Sequence, residues 1–221
     1  MKSMKVSLLV FDYNLYPRQS INTTHVRAMV EAERSGVELP PITIDAKSKR
    51  IVDGFHRATV KRRLYGDDAE IMVVTKRYRT EQQLLLDAIR LNADHGLHMD
   101  SCDRARAILL AEKLEIDPEA VAAALHVTLD KVNELKARKT AQTNGVSVAI
   151  KNTIRHKAGQ NLSALQVEAN QKLSGMSQAF YVNQLVTLIK SDLLDTENEN
   201  LMGGLEELRR LLDGLFVDAA S

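Results

Sequence analysis

Arg50-Ile51-Val52-Asp53-Gly54-Phe55-His56-Arg57-Ala58-Thr59-Val60 is the stretch on which the reading of the first half of the chain turns. It reads as a short apolar strand that ends at a glycine and passes straight into a helix. The first turn of that helix carries His56 and Arg57. The first amides of a helix lack intrahelical partners and carry partial positive charge, so anions settle there. Gly54 lets the backbone turn and approach a ligand closely, and Arg57 offers a planar, two-pronged donor to a phosphate. The same residues also suit a plain tight turn closed by an Asp53–Arg57 ion pair. The stretch alone leaves both readings open.

Upstream, Val6–Phe11 is a β-branched and apolar run that predicts the first strand. Asn14–Ser20 contains Pro17 and reads as a loop carrying Arg18. Asn22 or Thr23 caps a helix with Val26, Met29 and Val30 at helical spacing, and Gly36 ends it. Pro40-Pro41 launches the strand Ile42–Asp45, Ala46–Lys49 turns, and Arg50–Asp53 returns as the second arm of a hairpin. Downstream, Phe55–Leu64 is a helix stopped near Gly66, Glu70–Thr75 a strand and Glu81–Asp94 a long helix. Residues 1–98 therefore predict a small α+β unit with a mixed sheet.

From Asp100 onward every segment reads as helical. Asp100 or Ser101 caps a helix through Lys113, and Asp117-Pro118-Glu119 is a strong start signal for the next. His126-Val127 turns the chain, and Thr128 caps a third helix, Leu129–Lys139. A helix, a short turn and a basic helix form the pattern of a helix-turn-helix, placed at residues 99–142. Its DNA contacts are expected at Thr128, Lys131, Asn133, Lys136, Arg138 and Lys139; a plain bundle with a solvated basic face fits the same pattern. Gln142–Gly145 reads as a polar joint and Val146–His156 as a short basic helix. The helices Ser163–Leu173 and Ser177–Leu194 follow, then a polar break at Glu197–Gly204 and a last helix. Leu205, Leu208, Leu212 and Leu215 stripe that helix, suiting internal packing or a homodimer within the helical region 143–221.

Lys and Arg number 30 against 29 Asp and Glu, so global charge announces no polyanionic partner. Distribution says more. Residues 131–157 hold seven Lys or Arg against the single acid Glu134, whereas residues 191–221 hold eight acids against Arg209 and Arg210. This asymmetry predicts a middle facing nucleic acid. Trp is absent and aromatics make up 4% of residues, which weighs against a single-strand binder built on stacking. The one cysteine, Cys102, excludes an internal disulfide. With no apolar run of membrane length and Met1–Phe11 too short for a signal peptide, a cytoplasmic location is expected.

In combination, Tyr16-Pro17-Arg18, Pro40-Pro41-Ile42, Ile51–Arg57 and Leu91–His98 with Asp103-Arg104 resemble the ParB/sulfiredoxin superfamily. The Asn92-Ala93-Asp94-His95-Gly96-Leu97 segment is similar to that of ParB-like transcriptional regulators. The resemblance covers residues 6–142 and implies a ParB/sulfiredoxin-like domain followed by a helix-turn-helix that binds double-stranded DNA. It also implies a nucleotide-phosphate pocket formed by Arg18, Asp53, Gly54, His56, Arg57, Asn92 and His95, taking CTP or ATP with Mg2+. Gly54-Phe55-His56-Arg57 follows the Gly-x-His-Arg form of the ATP-binding relatives. Leu91 stands where partition-type ParB proteins carry an acid, and Phe55 where sulfiredoxin carries its cysteine. A DNA-binding regulator or partition-like protein is the leading expectation, with a non-enzymatic role favoured. The alternative is a nucleotide-dependent enzyme, namely a nucleotide hydrolase, a ParB-like nuclease or a small-molecule kinase. A metal site within Asp94–Asp103 is a further candidate; Gly96 interrupts the helical spacing of His95 and His98, a hinge is the competing reading, and no metal ligand is assigned.

Overall fold

The computed structural model describes residues 2–94 and 97–218. The chain divides into two compact units, residues 1–175 and residues 176–221. In the first, a four-stranded mixed sheet has the order β1 (Lys2–Lys5), β4 (Glu70–Lys76), β2 (Ile42–Asp45), β3 (Ile51–Asp53). β2 runs parallel to β4, and the other two pairings are antiparallel. The expected α+β class with a small mixed sheet is what the structure has.

Local chemistry explains most element boundaries. Asn22 caps α1 (Thr23–Arg34) by accepting from the His25 amide at 2.9 Å. Between β2 and β3, the Asp45 carboxylate accepts from the Ser48 amide at 2.8 Å and its hydroxyl at 2.6 Å, fixing the turn. Gly54 then takes φ of +105° and opens α2 (Phe55–Tyr65) without a side-chain cap. α3 (Glu81–Asp94) and α4 (Ser101–Lys113) follow. Asp100 caps α4 through the Cys102 and Asp103 amides. Asp117 caps α5 (Pro118–Ala124) and Thr128 caps α6 (Leu129–Lys139).

One core runs through α3, α4, α5 and α6. Leu84, Leu85, Ile89, Ile108, Leu125, Val132 and Leu135 are buried together with Val52 of β3. A second core fills the sheet's other side around Ile42, Ile44, Ile51, Phe55 and Val73. Residues 1–98 and 99–142 thus fall within one unit, and residues 143–175 pack with them.

Three expectations change. The first strand is Lys2–Lys5; Val6–Leu8 is a 3-10 turn whose Val6 and Ser7 amides donate to the Ala69 and Asp67 carbonyls. The polar joint and basic helix expected at 142–156 are instead a hairpin, β5 (Thr140–Thr143) and β6 (Val146–Ala149), then a 3-10 segment, Asn152–Lys157. Asn144 and Gly145 both have positive φ, the two-residue turn that suits strand twist, and Val146-Ser147-Val148 alternates as a strand does. α7 (Ala164–Lys172) closes this unit with a capping box at Ser163 and Gln166. In the second unit, α8 (Gln178–Lys190) precedes α9 (Glu199–Asp218). α9 runs straight through Gly203-Gly204, where a break was expected, because two glycines weaken a helix without obliging it to end. Its leucine stripe is partly covered at Leu205 and Leu208, and exposed by 39% at Leu212 and 63% at Leu215. Among the described residues no helix is long and apolar enough to cross a membrane.

A Cβ at position 54 would lie 2.4 Å from Ile42 Cγ2 in a backbone conformation that L-residues rarely adopt. Gly54→Ala is therefore expected to lower unfolding free energy by about 3 kcal/mol, read from urea melts.

Candidate functional site

Two places gather the residues singled out by sequence. The first is the corner between β3 and α2. Phe55 anchors it in an aromatic nest, stacked on Tyr16 at 4.3 Å between ring centres and edge-on to Phe11 at 5.7 Å. Arg57 reaches back rather than outward. Its Nη2 donates to Asp53 Oδ2 at 2.6 Å, and Nη1 donates to the Pro41 carbonyl at 2.7 Å and the Pro40 carbonyl at 3.2 Å. The ion pair is half-buried. Gly54 is required by the approach of Ile42, so the space a side chain would fill there is already occupied by protein. The α2 amides at this corner remain without a side-chain cap.

His56 is a neutral acceptor here. Its Nε2 accepts from the Asn22 amide at 3.1 Å, and its ring packs edge-on against His25. Burial, followed by the charge of Arg18, His25 and Arg57, pulls its pKa down to about 4. The ring therefore carries no positive charge at neutral pH.

Arg18 is buried, 3% exposed, and all five of its N–H groups are engaged. Nε donates to Asn92 Oδ1, Nη1 to the His98 carbonyl and Asp103 Oδ2, and Nη2 to the Asn92 and Leu97 carbonyls. Asn92 is buried in turn and donates to the Ala88 carbonyl at 2.8 Å. The Asp103 carboxylate also accepts from the Gln19 amide at 2.9 Å, and its pKa is raised by burial against these compensating bonds. Arg106 donates to the Tyr13 and Tyr16 carbonyls from the same helix. Sequence reasoning left the structural roles of Asp103 and Arg106 unseen, because they act on a loop some 85 to 93 positions away. His95 lies outside the described residues.

The second place is α6. Val132 and Leu135 turn inward, leaving Asn133 and Ala137 on the opposite, exposed face. Thr128 accepts from the Lys131 amide as the cap. Glu134 holds Lys131 at 2.8 Å and Arg138 at 3.1 Å along one flank. Lys136 pairs with Glu112 on the other flank, and half-buried Lys139 reaches Asn152 Oδ1 at 3.5 Å. Of the candidate metal ligands, Asp100 caps α4, Asp103 binds Arg18 and the buried Cys102 thiol donates to the Ile150 carbonyl. Burial pushes that thiol up to about 11.

No protein-family model matches the chain. The transcriptional regulator NovG of Streptomyces niveus is 26% identical over 130 residues, which cover 58% of this chain and 39% of that protein. The chain thus spans about two fifths of the regulator's length. Caulobacter crescentus ParB complexed to the centromeric parS site is similar at 16% identity, with a TM-score of 0.43, over 61% of this chain and 70% of that one. The same protein complexed with CTP-γ-S gives 18% and 0.36, over 62% and 77%. A Pnob8-like ParB-N domain gives 14% and 0.38, over 67% and 56%. The chain resembles ParB proteins.

Replacing Arg18 with Met leaves Asp103 and a ring of carbonyls buried without their donor. A loss of about 3–5 kcal/mol in urea unfolding is expected, with little recovery in Arg18→Lys, which lacks the planar fork. His56 adds a pH signature. Its folded pKa lies below its unfolded value, so the stability it contributes is complete above pH 6.5 and is lost as pH falls toward about 4. That part is on the order of 2 kcal/mol for a partly exposed ring. It should disappear from the difference between pH 7 and pH 4 urea melts in His56→Gln.

Proposed function

We propose that the chain is a ParB-like DNA-binding protein in which α5, the turn at Leu125–Val127 and α6 act as a helix-turn-helix reading duplex DNA. The observation that carries this is the face of α6. A helix anchored by Val132 and Leu135 presents Asn133 outward, flanked by Lys131 and Arg138 on one side and Lys136 on the other. Amide side chains read base edges, and flanking cations hold phosphates. The partial likeness to a transcriptional regulator supports a regulatory rather than a catalytic role. On this reading residues 1–98 are the ParB-like domain, residues 99–142 the DNA reader, and the protein acts in the cytoplasm.

The C-terminal helices suit a homodimer, in keeping with two-fold DNA sites. In α9, Glu206-Glu207 and Arg209-Arg210 flank Leu208 symmetrically. Two copies crossing antiparallel there would match acid to base while covering Leu211 and Leu215, which are 61% and 63% exposed. Sedimentation equilibrium should find a dimer that Leu211→Asp/Leu215→Asp converts to monomer; a monomeric wild type removes this element.

A nucleotide at the β3–α2 corner is a second reading, favoured by the bare N-terminus of α2. Its phosphates would have to draw Arg57 from Asp53 and two carbonyls. Calorimetry with ATP and CTP, with and without Mg2+, decides it, and no heat with either leaves the corner a structural element.

For the main reading, Lys131→Glu should weaken duplex binding at least tenfold in fluorescence anisotropy while leaving the thermal melt unchanged. A wild-type protein that ignores duplex DNA at low salt refutes it.

A further inference from the structure

The first turn of α4, one flank of α6 and the 3-10 segment Asn152–Lys157 enclose a cleft of about 670 Å3. Its walls carry Arg104 from α4, Lys131, Arg138 and Lys139 from α6, and Arg155 with His156 from the 3-10 segment. Two carboxylates also face it, and both are already engaged. Asp100 accepts from the Cys102 and Asp103 amides at 2.7 and 2.8 Å, and Glu134 neutralises part of the charge of Lys131 and Arg138. The Arg104 and Arg155 side chains have no hydrogen-bond or ion-pair partner among the described residues. The cleft therefore keeps an excess of positive charge, with two free guanidinium groups supplied by two different elements.

The third wall is held in place rather than draped there. Ile150 is fully buried, its amide donates to the Lys139 carbonyl at 2.8 Å, and its carbonyl accepts from the Cys102 thiol at 3.0 Å. The next amide, of Lys151, donates to Oδ1 of the buried Asn170 at 2.8 Å. These bonds fix the start of the segment that carries Arg155 against both α4 and α6.

Lys131 and Arg138 lie two helical turns apart, about 10 Å along α6. These two cations therefore stand in a row along the helix, and Arg104 and Arg155 join them from the other elements that line the cleft. A row of that length suits a polymer whose charges recur every ~3.4 Å along each strand better than it suits one compact anion. A helix seated in the major groove has its flanks beside the phosphates that border the groove.

We propose that this cleft is a clamp for the backbone of one DNA strand, in which Arg104 and Arg155 contact phosphates beside the groove that α6 enters. The clamp rests on the DNA-binding function proposed for α6 and adds to it Arg104 of α4 and a third wall, residues 152–157, that carries Arg155. It holds phosphate, so it strengthens binding to every sequence alike. Sequence preference stays with Asn133 and its neighbours.

The full-length Arg104→Ala/Arg155→Ala variant tests it, by anisotropy on a random-sequence duplex over a range of salt concentrations. The slope of log K against log salt should fall in magnitude by about two, one unit for each phosphate that no longer meets a guanidinium. Asn133→Ala should keep the wild-type slope, and an unchanged thermal melt should show that the double variant is folded. Wild-type affinity and slope in the double variant overturn the clamp while leaving the DNA-binding reading intact. Failure of the wild type to bind any duplex at low salt overturns both. Calorimetric ATP binding that the double variant loses, with its DNA slope unchanged, overturns the clamp in favour of a small-anion site.

Discussion

A guanidinium taken out of water has five N–H groups to satisfy, and Arg18 meets that demand with three separate parts of the chain. It sits on the loop before α1 and draws in the end of α3, the carbonyls at Leu97 and His98, and Asp103 in the first turn of α4. A buried charge tolerates few substitute arrangements, because each unmet donor costs on the order of 1–3 kcal/mol. The direction in which α4 leaves the sheet layer is thereby set. α5 and α6 inherit it through the core they share with α3. The helices proposed to read DNA are consequently built onto the sheet domain rather than tethered to it.

The same logic governs the corner between β3 and α2. Its residues have the chemistry to hold an anion, and the fold gives them internal partners of the same chemistry. Asp53 and two proline carbonyls take the place of a phosphate at Arg57. An amide takes the proton's place on His56, whose burial keeps the ring neutral. Any external anion there competes with bonds already made, so ligand binding at this corner is coupled to rearrangement of Arg57. In α6 the balance differs: its cations pair with exposed carboxylates, and such pairs are worth little in water and give way readily to a polyanion.

Much of the fold was legible in the residues. Asn22, Asp100, Asp117 and Thr128 start helices where their side chains accept nearby amides, Pro118 follows Asp117 at the first helical position, and Gly54 marks the strand-to-helix turn. The hairpin at 140–149 was legible too, through Asn144-Gly145 and the alternation after it, but a basic composition suggested helix in its place. Gly203-Gly204 looked like a break because glycine is a poor helix former. A loss of about 1 kcal/mol per glycine is too small to stop a helix that leucines support on both sides.

What the sequence determined by itself was local: element types and starts, the cluster of positive charge between residues 131 and 157, and the motifs that resemble ParB proteins. Such signals act over three or four residues, the reach of a cap, a turn or a helical face. The partners were decided only by tertiary structure. Arg18 and Asp103 stand 85 positions apart, and Arg104 and Arg155 are brought to one cleft by packing. A charged side chain takes whichever acceptor the fold carries to it, and that choice is written nowhere in its neighbours. For Asp53-Gly54-Phe55-His56-Arg57 the sequence supplied groups able to hold a phosphate, and the fold turned them toward one another.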